Sequence, residues 1–125
     1  MHQFSNTDKT TARPYDLEER TARFGEAAIS LCRMLPDNMI TRPLINQLVR
    51  SATSIGANYM EANGASSKKD FTNKIFICKK ETQETKHWLR MLLSCVENKD
   101  PIQTLWNECQ ELTMIFQKIT SSLRS

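Results

Sequence analysis

Between Ala65 and Asp100 the chain contains neither glycine nor proline, and within that stretch Phe71, Ile75, Cys78, Thr82, Thr85, Leu89, Leu92 and Val96 recur at spacings of three and four. That period marks one face of an α-helix and does not fit the alternation of a strand. About thirty residues at 1.5 Å each predict a rod of roughly 45 Å. A rod with one apolar face is stable only when that face is covered, so this stretch demands other helices to pack against. Ser67 followed by Asp70 resembles a capping box, with Asp in place of the usual Glu, and opens the rod.

The rest of the chain supplies those partners. Asp16 can cap a helix with Glu18 and Glu19 in its first turn, near the positive end of the helix dipole, and its apolar positions Leu17, Phe24, Ala28, Leu31 and Leu35 run to Pro36. Pro36-Asp37-Asn38 makes a turn. Thr41 and Pro43 then start a second helix that stops near Asn63-Gly64, with Ile45, Leu48, Ala52, Ile55, Tyr59 and Ala62 as its apolar seam. Asn98-Lys99-Asp100-Pro101 opens a fourth helix, whose seam is Ile102, Leu105, Cys109, Leu112, Phe116, Ile119 and Leu123. Four amphipathic helices with short links predict an all-α, antiparallel up-down four-helix bundle over residues 14–125. Residues 1–13 are polar and unpatterned and are expected to form a flexible tail.

The totals agree with one domain. The chain has 125 residues, of which 39% are hydrophobic and 25% charged, a balance typical of globular proteins. Three glycines and four prolines leave little turn chemistry for an all-β fold. No apolar run approaches the length of a membrane span, and the N-terminus lacks the pattern of a secretion signal, so a cytoplasmic location is expected. Cys32, Cys78, Cys95 and Cys109 lie far apart with no Cys-x-x-Cys pair, which points to reduced core thiols in place of zinc or disulfides.

Two groups of residues stand out on the second and third helices. Ser51, Ser54, Asn58 and Glu61 sit one position behind the apolar seam, and with Arg50 and Glu84 they form a polar stripe. Small polar side chains beside a seam fit hydrogen bonds across helices, and an ion pair from Arg50 to Glu84 or Glu61 would fix register more than it adds stability. Ile77, Trp88, Met91 and Cys95 point roughly opposite the seam of the third helix. Either the core wraps around that helix or this face is a subunit interface, formed by Ile77, Trp88 and Met91.

No catalytic set converges. Glu84-x-x-His87 has the spacing of di-iron bundle motifs, but such a site needs two motifs and further carboxylates, and the chain has only two histidines. Neither a nucleophile–base pair nor a Walker loop is present, so no enzyme activity, metal or other cofactor is expected. The basic residues are more informative. Lys68, Lys69, Lys74, Lys79, Lys80, Lys86 and Arg90 face only Asp70, Glu81 and Glu84 in the same segment, and Lys68, Lys79, Lys86 and Arg90 lie within about 40° on a helical wheel. Such a line could follow a nucleic-acid backbone with salt-dependent, largely sequence-independent affinity. The alternative is an ordinary solvated flank.

Three blocks carry a resemblance: Arg50-Ser-Ala-x-Ser54-Ile55-x-Ala57-Asn58-x-x-Glu61, then Ser67-x-Lys69-Asp70-Phe71, then Lys80-Glu81-x-x-Glu84-Thr85-x-x-Trp88-Leu89. Together they resemble the bacterial four helix bundle protein family, also described as 23S rRNA intervening-sequence proteins, over about Tyr15 to Leu123. Many relatives have Gly-Ser where this chain has Lys80-Glu81, and the glycine-rich turn after the second helix is reduced here to Gly64. The resemblance implies a left-handed bundle that assembles into a homo-oligomeric ring, a pentamer among relatives. It also implies kinship with the accessory variability protein of diversity-generating retroelements, a basic ring that binds nucleic acid and a reverse transcriptase. It implies no catalytic residues.

The leading expectation is a non-enzymatic oligomeric bundle that binds RNA or DNA through Lys68, Lys69, Lys79, Lys80, Lys86 and Arg90, as an accessory to another protein. A protein-interaction scaffold without nucleic-acid binding is the second reading, and a carboxylate/His metal carrier built on Glu61, Glu84 and His87 the third.

Overall fold

The structure, a computed structural model, describes residues 16–124. It contains four helices in the order α1 (Asp16–Met34), α2 (Thr41–Asn63), α3 (Lys68–Leu93) and α4 (Asp100–Leu123), and no strand among the described residues. The polar N-terminal stretch 1–13 lies outside the described residues. No helix of the described residues is long and apolar enough to cross a membrane. The connections are too short for anything but antiparallel neighbours. α3 packs against α2 on one side and α4 on the other, α1 packs against α2, and the α1–α4 seam is the sparsest of the four.

The helix starts show how side chains replace missing backbone partners. Ser67 is extended at φ −144°, and its hydroxyl accepts from the Asp70 amide, the forward half of the capping box. At α2 the work is done one turn earlier. Asn38 Oδ1 accepts from the amides of Ile40 and Thr41 at 2.9 and 3.0 Å, while the buried Thr41 hydroxyl donates to the Pro36 carbonyl at 2.6 Å. α4 begins at Asp100 with Pro101 in its first turn, and Asn98 Oδ1 accepts from the Asp100 amide at 3.3 Å.

The core follows the apolar periods closely. Leu48, Ile55, Ile75, Leu89, Leu92, Ile102, Leu112 and Phe116 are fully buried, and Tyr59 meets Phe116 edge-on at 5.9 Å between ring centres. Threonines share this core because their hydroxyls turn back onto carbonyls of their own helix. Thr21 donates to Leu17, Thr82 to Lys79 and Thr113 to Cys109, all within 2.9 Å, which leaves the methyl group for packing. The two buried thiols reach across seams, Cys78 to the Ile55 carbonyl of α2 and Cys109 to the Thr82 carbonyl of α3.

α1 and α2 approach closely where they carry glycine. A Cβ on Gly56 would lie 3.3 Å from the Thr21 hydroxyl, and one on Gly25 would lie 3.5 Å from Thr53 Cα. α3 is shorter than its apolar period suggests. It ends at Leu93 after 26 residues, about 39 Å, where the amides of Ser94 and Cys95 close i−3 bonds to Met91 and Leu92 and the Ser94 hydroxyl adds a bond to the Met91 carbonyl at 2.7 Å. Val96 still packs on the core, but from the connection that follows.

Candidate nucleic-acid interface

α3 presents its core line inward and leaves two flanks, one shared with α2 and one with α4. On the α2 flank the charges are paired. Arg50 Nη2 donates to Glu84 at 2.6 Å, and Nη1 lies 3.4 Å from Glu81 Oε1 and 3.5 Å from Oε2. Burial alone would lower the Arg50 pKa, but the hydrogen bond to Glu81 and the charges of Glu81 and Glu84 outweigh it, so the pKa is raised. Lys74 donates to Glu61 at 2.7 Å, and its pKa is raised by that bond, with Asp70 adding a smaller pull from the same side.

Within this flank the Thr85 hydroxyl donates to Ser51 at 2.8 Å, with both side chains buried. The other members of the polar stripe behave differently. Ser54 donates to the Arg50 carbonyl and Asn58 to the Ser54 carbonyl, so both bond within α2. Glu61 is exposed at the rim. Of the stripe, Ser51, Arg50 and Glu61 therefore reach α3, and Arg50 finds Glu81 as well as Glu84.

The α4 flank is different in kind. Lys68 and Arg90 are exposed, Lys79 is half-buried, and Lys69 and Lys80 are exposed on the adjoining outer surface. None of these five forms an ion pair among the described residues. Lys86 is held without a carboxylate: its ammonium donates to Gln110 Oε1 at 2.7 Å and stands 5.5 Å above the Trp106 ring. At the other end of the same groove the Arg124 guanidinium lies 5.2 Å from the Phe76 ring.

The carboxylates of α4 that might have neutralised these cations point elsewhere. Glu108 and Glu111 turn to α1, where Arg20 takes Glu108 through two bonds of 2.7 and 2.9 Å and Glu111 through one of 2.7 Å. The Glu108 hydrogen bond leads in raising the Arg20 pKa further above its ordinary value. The groove between α3 and α4 is thus a basic strip with glutamine and aromatic walls. Sequence reasoning missed Trp106, Gln110 and Arg124. They fall within about 40° of one another on the α4 wheel, and that alignment was the available signal.

The remaining candidates are dispersed. Ile77, Met91 and Cys95 are half-buried, and Trp88 packs on the core with its indole N–H buried and without an acceptor among the described residues. His87 is exposed and edge-on to Trp88, while Glu84 and Glu61 are engaged by Arg50 and Lys74. Among the described residues no three His, Cys, Asp or Glu side chains come together as a metal group would require. Desolvation pushes the thiols of Cys78 and Cys109 up to about 12, so at neutral pH they are protonated.

Comparison with known proteins agrees with this architecture. The crystal structure of a protein of unknown function from the S23 ribosomal protein family of Bacteroides thetaiotaomicron is similar at 30% identity, with a TM-score of 0.76 over 83% of this chain and 97% of that one. No curated protein matches. The family model described as 23S rRNA-intervening sequence protein matches residues 15–118, and this four-helix chain belongs to that family.

Proposed function

We propose that the protein is a non-enzymatic bundle that binds nucleic acid, RNA or DNA, through the basic surface of α3 and serves in the cytoplasm as an accessory to another protein. One observation carries this reading. Among the described residues Lys68, Lys69, Lys79, Lys80 and Arg90 lack ion pairs, while Glu81 and Glu84 of α3 are drawn to Arg50 and Glu108 and Glu111 of α4 to Arg20 on other faces. Counting charges along α3 therefore understates how positive this one face is. A field of one sign attracts a polyanion, and in a homo-oligomer, such as a pentameric ring, the face would be repeated. The family's description supports an RNA context, since it refers to intervening sequences of 23S rRNA.

The test is binding of a structured RNA across a salt series, with mass by light scattering on the same sample. With about five phosphates engaged, affinity falls about 500-fold between 50 and 200 mM salt. Absence of binding at low salt would refute the reading.

A second reading, a protein-interaction scaffold, is favoured by the end of the bundle that carries the α1–α2 turn. Met39 and Ile40 in the α1–α2 turn are 83% and 64% exposed, and Met34 beside them is also open. Together with the half-buried Trp88 and Met91, these give apolar surface for a protein partner. Capture of a partner that is lost on changing Met39 and Ile40 to Ser, without RNA binding, would favour this alternative.

A further inference from the structure

We infer that the α3–α4 groove takes its nucleic acid as a single strand, with the rings of Trp106 and Phe76 as base-stacking positions and the cations beside them serving the phosphates. This rests on the proposed nucleic-acid binding and narrows its ligand.

Two features of the groove go beyond what a duplex backbone requires. First, each ring is half-buried and carries a cation near its face: Lys86 above Trp106 and Arg124 beside Phe76. A ring anchored in the bundle wall yet faced by a mobile side chain can exchange that side chain for a base. The displaced ammonium or guanidinium keeps its charge and becomes available to a phosphate; at Trp106 the exchange gives up the cation–ring contact and the Lys86 bond to Gln110 and gains a stacked base and a phosphate contact.

Second, the spacing suits a strand. Phe76 and Lys86, the residue that covers Trp106, are ten residues apart on α3, about 15 Å along its axis, so the two cation–ring pairs lie several nucleotides of a strand apart. Between them Lys79 has no carboxylate partner among the described residues, and Gln110 supplies an amide where a carboxylate would repel the strand. In a duplex the bases are already stacked on one another, so these rings would have no function in binding it.

The experiment uses the full chain with 12-nucleotide oligo(U), oligo(dT) and a 12-base-pair RNA duplex at one salt concentration, reading both affinity and tryptophan fluorescence. The single strands are expected to bind at least tenfold tighter than the duplex and to quench emission. Trp106→Phe retains a stacking ring, so it keeps single-strand affinity within about threefold while losing most of the quench. Trp106→Leu keeps an apolar side chain on the bundle wall, so it lowers single-strand affinity five- to tenfold and leaves duplex affinity unchanged. Duplex bound as tightly as single strand, or equal losses on both in Trp106→Leu, would overturn the inference while nucleic-acid binding stands. Failure of all three ligands to bind at low salt would overturn both.

Discussion

The two flanks of α3 are made from the same residue types and used in opposite ways. Toward α2, each cation meets a carboxylate: Arg50 holds Glu81 and Glu84, and Lys74 holds Glu61. Toward α4, Lys86 meets an amide and a ring, and Lys79 and Arg90 meet no acid among the described residues. Charges that neutralise each other specify how helices sit together. Charges left over project a field into solvent. One flank is therefore concerned with the fold, and the other is available for a ligand.

The most severe challenge to that contrast is charge reversal on the open flank. Lys79→Glu, Lys86→Glu and Arg90→Glu combined should lower RNA affinity at least 100-fold by filter binding or anisotropy. The fold should persist by circular dichroism with some loss of thermal stability, because Lys79 and Lys86 are half-buried and Lys86 gives up its contacts with Gln110 and Trp106. Unchanged affinity would remove the distinction between the flanks.

A second comparison asks where the flanks should be alike. Each seam buries one thiol, Cys78 against Ile55 and Cys109 against Thr82, and burial raises both from an ordinary 9.0 to about 12. Below pH 9 folded and unfolded chains both keep these protons. Above it the unfolded chain ionises first and the folded chain does not, so stability falls as pH rises toward 12, by up to about 1.4 kcal/mol per unit for each thiol. Urea titrations between pH 8 and 10.5 should show a shallower decline in Cys78→Ala and Cys109→Ala, to a similar extent. A change in only one variant would mean that water reaches one of the seams.

Arg50→Ala tests the paired flank. Glu81, with a side chain only 8% exposed, would lose its cation. Because Arg50 itself is half in solvent, the expected cost is about 1–2 kcal/mol, below that of a fully buried pair. RNA affinity should stay within twofold of wild type. Lys74→Met should have the smallest effect, with a thermal midpoint indistinguishable from wild type, since Glu61 remains hydrated at the rim.

How much of this was legible in the sequence varied with the kind of contact. The line from Ile75 to Leu92 could be read directly, because burial of one helical face leaves a period. The end of α3 could not, since the backbone turns to i−3 bonds at Ser94 and Cys95 while Val96 keeps the apolar spacing. Ser54 and Asn58 looked like cross-helix donors, yet short polar side chains in a helix also compete for carbonyls of their own turn, and spacing does not separate the two outcomes. Lys86 was read as one of a line of cations. Its contacts with Gln110 and Trp106 depend on which neighbour lies beside that line, and a wheel drawn for one helix does not carry that information. The Arg20 link to Glu108 and Glu111 was invisible for the same reason, as it joins the first and last helices across 88 and 91 residues.

That link bears on how the bundle comes apart. α1 rests mainly on α2 and meets α4 along the sparsest seam, where three hydrogen bonds from one partly exposed arginine do much of the joining. A seam closed by surface charges is weakened by salt, whereas α3 is gripped by apolar contacts on both sides. The expected consequence is a sub-global opening in which α1 leaves first while the remaining helices stay packed, to be read as faster hydrogen exchange of α1 amides at high salt.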